Sequence, residues 1–250
     1  VVHHVLLYLI PAADVPEMEN LDAAEDGPGY TCFGGPGLGN GETLGGWVPG
    51  SVRGKRSAQP TAMRIPAGAR IVMQVHYNVL GLSAGEVPKP DKSEVAMWSM
   101  PEGTVPDYLL ELSPFPHFGI EIPPHEADWK EAKEFVLPAD TVVVGVTPHM
   151  HSIGKSIQVD YIRDGQENCI VDIPEWDFNW QQFYRFQDDG QLEMKAGDVI
   201  RLSCSYNNSA ENQTVVNGVQ LDPQTVEWGE STLDEMCLTY LMFMKPYSSV

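Results

Sequence analysis

Positive charge is scarce in this sequence. Its 250 residues include 15 lysines and arginines against 35 aspartates and glutamates, which gives a formal net charge of −20. This charge repels nucleic acid and anionic membrane surfaces at long range. We therefore expect no nucleic-acid partner.

Cysteines are few, and long apolar runs are missing. The four cysteines include no C-x-x-C pair of the kind that holds zinc or forms a redox dithiol, and they allow three disulfide pairings. No stretch reaches the ~18 to 20 consecutive apolar residues that a membrane-spanning helix needs. These features predict a soluble chain without a membrane span. Because the chain opens on VVHHVLLYLI with no methionine, we expect a mature or truncated piece of a longer protein, with any signal peptide outside it.

The sequence does contain many short segments rich in β-branched and aromatic residues. The clearest are HHVLLYLI, RIVMQVHYNV, TVVVGVTPHMH, SIQVDYI, DVIRLSCSY and CLTYLMFM. Glycine, proline, asparagine or aspartate bounds each of them, as is typical of strands. The prediction is an all-β fold built as antiparallel β-sandwiches of a jelly-roll-like kind.

Other stretches predict the remaining organisation. PHEADWKEAKEF, at residues 124–135, has the charge distribution of a short surface helix, and the glycine-rich residues 27–50 predict a long loop without regular structure. A proline-rich zone separates two strand-rich halves, so we predict two domains, 1–105 and 106–250.

Five of the seven histidines lie in or at the end of predicted strands: His3, His4, His76, His149 and His151. Residues two apart in a strand share a face, so His149 and His151 should project together while Met150 points the other way. The adjacent His3 and His4 can reach one ion only at a strand end or a bulge. The joint pattern predicts metal binding.

Several alternatives stay open on the residues alone. An isolated histidine is more often an ordinary polar residue than a ligand, and we assign no ligand role to His117 or His125. Imidazoles suit zinc, copper, iron and nickel equally, whereas a methionine thioether favours copper. Met236, next to Cys237 at the mouth of an apolar strand, is the candidate thioether. If Cys237 is bonded to another strand, Cys204 is its natural partner.

Four motifs in this order carry a family resemblance: VVHHVLLY, VMQVHYN, TPHMHSIGK and DEMCLTYLMFM. The sequence resembles the copper type II, ascorbate-dependent monooxygenases, which include peptidylglycine α-hydroxylating monooxygenase and dopamine β-monooxygenase, and it looks like a bacterial-type member. The resemblance runs from residue 1 to about residue 247. It implies two jelly-roll-like sandwich domains, each holding one copper, on opposite sides of a solvent-filled cleft.

The resemblance also implies roles. His3, His4 and His76 would hold the copper that relays electrons, while His149, His151 and Met236 would hold the copper at which O2 attacks a substrate C–H bond. The cofactors would be two copper ions per chain, with ascorbate or a similar one-electron donor as co-substrate. The pair Cys204 and Cys237 matches a family disulfide, and the pairing of Cys32 and Cys169 is not predicted.

Departures from the family pattern bear on the substrate. Where the peptide enzyme holds its peptide carboxylate with an arginine and an asparagine, this sequence has Thr147 and Leu238, and it keeps only Tyr240. We therefore predict a small organic substrate that is not a peptide C-terminus. A nearby aromatic segment could line an apolar pocket or pack between sheets; its members are Trp176, Phe178, Trp180 and Tyr184.

The predicted function is thus C–H hydroxylation with O2, with Tyr240 also in the catalytic site. The alternatives are a copper carrier of the same fold without catalysis, a zinc hydrolase, and purely structural histidines. The zinc hydrolase is disfavoured because no general base stands beside HMH. The expected location is extracellular or periplasmic, and the oligomeric state is not predicted.

Overall fold

The structure is a computed structural model that describes residues 2–32, 34–39, 41–49, 51, 60–77, 86–87, 89–187, 190–216 and 218–249. Strands dominate these residues, which confirms the all-β prediction. No helix among them is long and apolar enough to cross a membrane.

The N-terminal strands are β1 (Val2–Ile10), β2 (Glu42–Trp47), β3 (Thr61–Ala62) and β4 (Arg70–Tyr77). Three of them form an antiparallel sheet in the order β2-β1-β4. The strand predicted from RIVMQVHYNV is confirmed up to Tyr77, and its last two residues lie outside the described part of the chain. Helix α1 (Val15–Ala23) covers one face, where Val15 and Met18 pack against Tyr8 and Ile10.

The strands of the C-terminal half build a sandwich. They are β5 (Tyr108–Pro116), β6 (Glu121–Ile122), β7 (Trp129–Val136), β8 (Thr141–His149), β9 (Gly154–Arg163), β10 (Gln166–Ile173), β11 (Tyr184–Arg185), β12 (Leu192–Met194), β13 (Val199–Tyr206), β14 (Val215–Val216), β15 (Val219–Gln220), β16 (Val226–Glu227) and β17 (Leu238–Pro246). One sheet has the order β10-β9-β13-β7, and the other has the order β11-β8-β17-β5-β3, with β12 also paired to β8. Short 3-10 helices occupy Ala210–Asn212 and Tyr247–Ser249.

The two larger sheets face each other across one hydrophobic core. Strand alternation sends Ile200, Leu202 and Cys204 of β13 into this core, where they meet Leu241 and Phe243 of β17. A disulfide joins Cys204 of β13 to Cys237, which directly precedes β17, and so ties one sheet to the other. The sandwich predicted for this half and its disulfide are both present.

Two local predictions are wrong. Residues 124–135 do not form a helix: Trp129–Val136 is strand β7, paired along its length with β13. This strand lies at the sheet edge and exposes much of its surface, so its charges alternate with few apolar residues and resemble a surface helix.

The glycine-rich stretch 27–50 also contains regular structure, because Glu42–Trp47 forms β2 beside β1. A Cβ at Gly46 would lie 2.3 Å from the Val5 carbonyl oxygen. Only glycine therefore permits this close approach of the two strands.

Candidate metal centres

The first group of histidines lies at one end of the β1–β4 pair. His4 stands directly opposite His76, and the strand register shifts between Val2 and His4. This irregularity frees His3 from strict alternation, as the sequence predicted for two adjacent histidines. One ring nitrogen from each of His3, His4 and His76 lies within 4.8 Å of the other two.

The rings of this first group are neutral at neutral pH. Burial lowers the pKa of His3, His4 and His76, and for His4, with the His76 and His3 rings adding to the effect, it lowers the pKa to about 3. Neutral imidazole is the form that binds a metal ion, so the group can do so without first losing protons.

The second group lies at the end of β8. His149 and His151 have ring centroids 5.2 Å apart, whereas Met150 is fully buried in the sandwich core. The predicted alternation is confirmed, and Met150 is not available to an ion held by its neighbours. Burial lowers the pKa of His149 well below its usual value and that of His151 to about 4.

Met236 lies near the second group through its backbone. The β17–β8 pairing ends at Leu238 with His149. Two residues further along each segment, the backbone N–H groups of Met236 and His151 both donate to Glu235 Oε2. Met236 is buried, its carbonyl accepts a hydrogen bond from the Tyr206 hydroxyl at 3.1 Å, and its neighbour Cys237 is in the disulfide.

A buried carboxylate, Glu235, holds these two segments together. Its Oε2 accepts hydrogen bonds from the backbone N–H of His151 at 2.8 Å and of Met236 at 3.1 Å, and its Oε1 accepts those of Ile153 and Gly154. Burial raises the Glu235 pKa to about 7, and the four donated N–H bonds oppose that rise. The β8–β17 pairing ends at His149 and Leu238. Beyond this point the Glu235 side chain, rather than inter-strand hydrogen bonds, connects the two segments.

Hydrogen bonds to the rings decide which nitrogen carries the proton, and His3 Nδ1 lies 3.0 Å from His4 Nδ1. A carbonyl oxygen only accepts, so His151 donates from Nδ1 to the Asp234 oxygen at 3.0 Å, and His3 donates from Nε2 to the Phe178 oxygen at 3.4 Å. His149 Nδ1 lies 2.7 Å from Gln181 Oε1 and is likewise the donor. Nε2 of His149 and His151, and Nδ1 of His3, therefore keep their lone pairs.

The two groups lie next to each other. The rings of His4 and His149 have centroids 6.3 Å apart. The Phe178 ring stacks on His3 at 4.4 Å and lies 6.0 Å from His151. The structure thus brings the five histidines into one neighbourhood, rather than to the two sides of the cleft that the family resemblance implied.

Tyr240 lies on β17 directly opposite Thr147 of β8. Since residues two apart share a face, Thr147 lies on the same side of the sheet as His149. Burial raises the Tyr240 pKa, with Glu230 adding to the rise and a hydrogen bond with Thr43 opposing it. Tyr240 is therefore a neutral phenol beside the second group.

The aromatic segment serves several purposes. Trp176 packs against the sandwich core and donates its indole N–H to the His151 carbonyl oxygen at 3.2 Å. Phe178 contacts the histidines, while Trp180 is 58% exposed and Tyr184 36% exposed. Packing accounts for Trp176, and Phe178 is the member of the segment that stacks on a candidate ligand.

Two residues of the site were not predicted from sequence. Gln181 is buried and bonded to His149, and Glu235 ties His151 to Met236. The sequence offers a hint of Glu235, since it directly precedes the apolar segment that begins at Met236, where a buried carboxylate needs hydrogen-bond partners. Gln181 carried none, because its contact spans 32 positions in the chain.

Residues left out of the predicted site also stay outside these groups. His117 pairs with Glu131 at 3.4 Å, and His125 lies in a loop with φ of 67°. Cys32 and Cys169 are free in the structure, and Cys169 is exposed.

The donor sets fit a soft, redox-active metal. Three imidazoles in one group, and two imidazoles beside a buried thioether in the other, suit copper, because a thioether favours Cu(I) and imidazole binds both copper oxidation states. An all-β sandwich protein with two such groups belongs to the class of copper proteins that carry histidines on rigid strands.

Comparison with known proteins names the family. Residues 120–249 match the family model described as "Copper type II ascorbate-dependent monooxygenase, C-terminal domain". The chain belongs to the copper type II ascorbate-dependent monooxygenase family, as the sequence motifs predicted.

Curated relatives agree at a distance. The chain is similar to DBH-like monooxygenase protein 1 from Homo sapiens, with 27% identity over 152 residues that make up 60% of this chain and 22% of the relative. The protein of the same name from Gallus gallus is 29% identical over a match that covers 42% of this chain and 15% of the relative. MOXD1 homolog 1 from Drosophila melanogaster is 24% identical over a match that covers 43% of this chain and 14% of the relative. The matches thus span less than a quarter of each relative.

Proposed function

We propose that this chain is the two-copper catalytic core of a monooxygenase that hydroxylates a C–H bond of a small organic substrate, using O2 and a one-electron donor such as ascorbate. The observation that carries the proposal is the meeting of the two histidine groups, with the imidazoles of both groups held neutral. In this proposal His3, His4 and His76 hold one copper, and His149, His151 and Met236 hold the other.

Bound copper would supply one-electron redox chemistry and the binding of O2. The protein's contribution is to keep the ligand nitrogens deprotonated, orient them and exclude water. His151 and Met236 are each about 95% buried or more, with exposed fractions of 3% and 5%. A weak thioether in such a site stabilises the reduced metal while the two imidazoles serve the oxidised one.

The described strand residues next to the second group are uncharged, and they combine an apolar side chain with two hydroxyl groups. Leu238 lies opposite His149, and Tyr240 lies opposite Thr147. The Thr147 hydroxyl is buried and has no hydrogen-bond partner among the described residues. A substrate with a hydroxyl or amide group near the reacting carbon satisfies that hydroxyl, whereas no arginine stands here to hold a peptide carboxylate.

We keep the division into domains 1–105 and 106–250 as part of this proposal. The sheet β2-β1-β4 lies within the first range, and apart from the short strand β3 the two larger sheets lie within the second. We also propose an extracellular or periplasmic location, which the Cys204–Cys237 disulfide supports because such bonds persist in oxidising compartments.

Replacement of Met236 by isoleucine tests the proposal. We expect about two coppers per chain in the copper-loaded wild type, and substrate-dependent O2 uptake with ascorbate that Met236→Ile abolishes. Met97→Ile is the matched control, since Met97 is 51% exposed, and it should behave as wild type. Full activity of Met236→Ile would refute the assignment of the second site.

The same assay separates the alternatives. A copper carrier would bind copper yet consume no O2 beyond the uncoupled oxidation of ascorbate. A zinc hydrolase would give no Cu(II) electron paramagnetic resonance (EPR) signal, and the Glu235 carboxylate, which bonds to the His151 backbone, already accepts four backbone hydrogen bonds. Glu235 is thus a poor general base.

A further inference from the structure

We propose that the turn Asp177–Gln181, here named the inter-site turn, is a positioning element that joins the two histidine groups and fixes their separation. The inference rests on the proposed two-copper function. Phe178 of this turn contacts a candidate ligand of the first group, and Gln181 contacts a candidate ligand of the second. Neither Phe178 nor Gln181 is itself a candidate ligand.

Within the inter-site turn, Phe178 is the residue that contacts the first group, and it makes two contacts with His3. Its ring stacks on His3 with centroids 4.4 Å apart and planes inclined by 23°. Its carbonyl oxygen accepts the His3 Nε2–H bond at 3.4 Å. Stacking fixes the plane of the imidazole and the hydrogen bond fixes its rotation, so Nδ1 of His3 is the nitrogen presented to a metal.

Gln181, which contacts the second group, is 3% exposed. Its Oε1 accepts the His149 Nδ1–H bond at 2.7 Å, and its Nε2 donates to the Phe178 oxygen at 3.0 Å. A flipped amide would set its oxygen against the Phe178 oxygen, so only one orientation satisfies both partners. The amide therefore dictates that His149 presents Nε2.

These contacts form one continuous chain between the groups. The Phe178 carbonyl oxygen accepts from both His3 and Gln181, and Gln181 accepts from His149. Three hydrogen bonds, through the Phe178 carbonyl and the Gln181 amide, thus connect a ligand of the first group to a ligand of the second. Movement of either group relative to the other must break one of these bonds, and two of them are made by a buried amide, whose loss of a partner is costly.

The inter-site turn itself is locally braced. Asp177 accepts the Asn179 backbone N–H through Oδ1 at 2.8 Å, and its carbonyl accepts the Trp180 N–H at 2.9 Å. This is an Asx-type turn, which limits the freedom of Phe178 between its two contacts. The neighbouring Gln182 donates instead to the Pro49 carbonyl oxygen at 2.7 Å and contacts no histidine through that bond.

The chain of contacts is tested by Gln181→Leu with Gln182→Leu as the matched control. Each change removes one buried or half-buried amide, but only Gln181→Leu disconnects the two groups. The first readout uses the metal-free protein: 15N NMR of the imidazoles reports which nitrogen of His149 carries the proton. We expect Nδ1–H in the wild type and in Gln182→Leu, and loss of that signature in Gln181→Leu.

The second readout uses protein loaded with Cu(II). We expect dipolar broadening and a half-field EPR transition between the two ions in the wild type and in Gln182→Leu, and loss of both features in Gln181→Leu, together with a fall in kcat/KM of about 10- to 100-fold. If Gln181→Leu does not fold, Gln181→Glu keeps an acceptor for His149 but cannot donate to Phe178, and it should lose the half-field transition while keeping the Nδ1–H signature.

The outcomes separate this inference from the proposed function. Two results would refute the positioning role of the inter-site turn without affecting the two-copper assignment. One is an unchanged His149 tautomer in Gln181→Leu, and the other is a wild type that holds two Cu(II) ions but shows no dipolar signature. A wild type that binds no copper but shows the predicted tautomers would overturn the function alone.

Discussion

The first and second histidine groups are built from similar ligands but are held in place by different means. In the first group, ring nitrogens of His4 and His76 lie 3.3 Å apart, and the His3 ring stacks on the Phe178 ring. They stand on a three-stranded sheet whose outer face leaves Ile71 38% and Met73 40% exposed. The β1–β4 pairing, the contacts among the rings and the inter-site turn hold this group.

A disulfide and several hydrogen bonds hold the residues of the second group in place. The Cys204–Cys237 disulfide, the Glu235 carboxylate and the Asp234 carbonyl oxygen each fix a different part of the His149–His151 and Met236 segments. In the proposal the oxygen site is therefore held by more contacts outside its ligands than the electron-relaying site is.

The largest effect on this contrast is expected from Cys204→Ser. Loss of a disulfide whose cysteines are 33 positions apart should lower the free energy of unfolding by about 3 kcal/mol. Cys169→Ser, which changes an exposed free cysteine, is the control and should have almost no effect. Urea denaturation measures the loss. Hydrogen exchange should then speed up at β8 and β17 and stay unchanged at β1 and β4, and an equal acceleration in both pairs would break the contrast.

A smaller effect is expected from Glu235→Gln. The new amide presents an NH2 group to backbone N–H donors and leaves part of them unsatisfied, which should cost about 2 kcal/mol of stability. The second site should also lose copper affinity while the first keeps it, measured as copper retained per chain after dialysis. Glu227→Gln is the control, because only the Glu227 backbone carbonyl bonds to Glu235. Equal copper loss from both sites would contradict separate support of the two groups.

The smallest expected effect is a difference in the pH at which the histidines of the two groups become protonated. The pKa of His3 and His76 is lowered by partial burial, and that of His149 is lowered much further, so on acidification of the metal-free protein His3 and His76 should take up protons before His149. NMR titration of the imidazole resonances measures this order. Protonation of His149 first would show that the second group is the looser one.

The same shifts give the pH dependence of stability. Each of the five histidines in the two groups has a folded pKa below its unfolded value of about 6.5. Between those two values the unfolded chain binds more protons, so stability falls as pH falls. For His151 that window extends down to about pH 4. Glu235, with a folded pKa raised to about 7, acts in the opposite direction. Glu235→Gln should therefore steepen the loss in acid.

Much of the fold follows from local patterns in the chain. Alternation along β8 was enough to send Met150 into the core and to leave His149 and His151 together. The need for a bulge at His3 and His4 followed from the same period of two. These predictions succeed because strand geometry is decided by residues close in sequence.

Predictions failed where distant partners decide the structure. Strand β7 is exposed at a sheet edge and depends on pairing with the distant strand β13, as for Trp129 with Tyr206. Helix α1 was not predicted, although Pro16 and Glu17 in its first turn are typical of a helix start. The adjacency of His4 and His149, and the place of Gln181 between the groups, depend on how the two halves of the chain meet.

Copper X-ray absorption of the reduced protein tests the central claim most directly. We expect about two coppers per chain, imidazole scattering from both, and one sulfur scatterer that Met236→Ile removes and Met97→Ile retains. A wild type without a sulfur ligand, or a sulfur signal that persists in Met236→Ile, would contradict the assignment of His149, His151 and Met236 as a copper site.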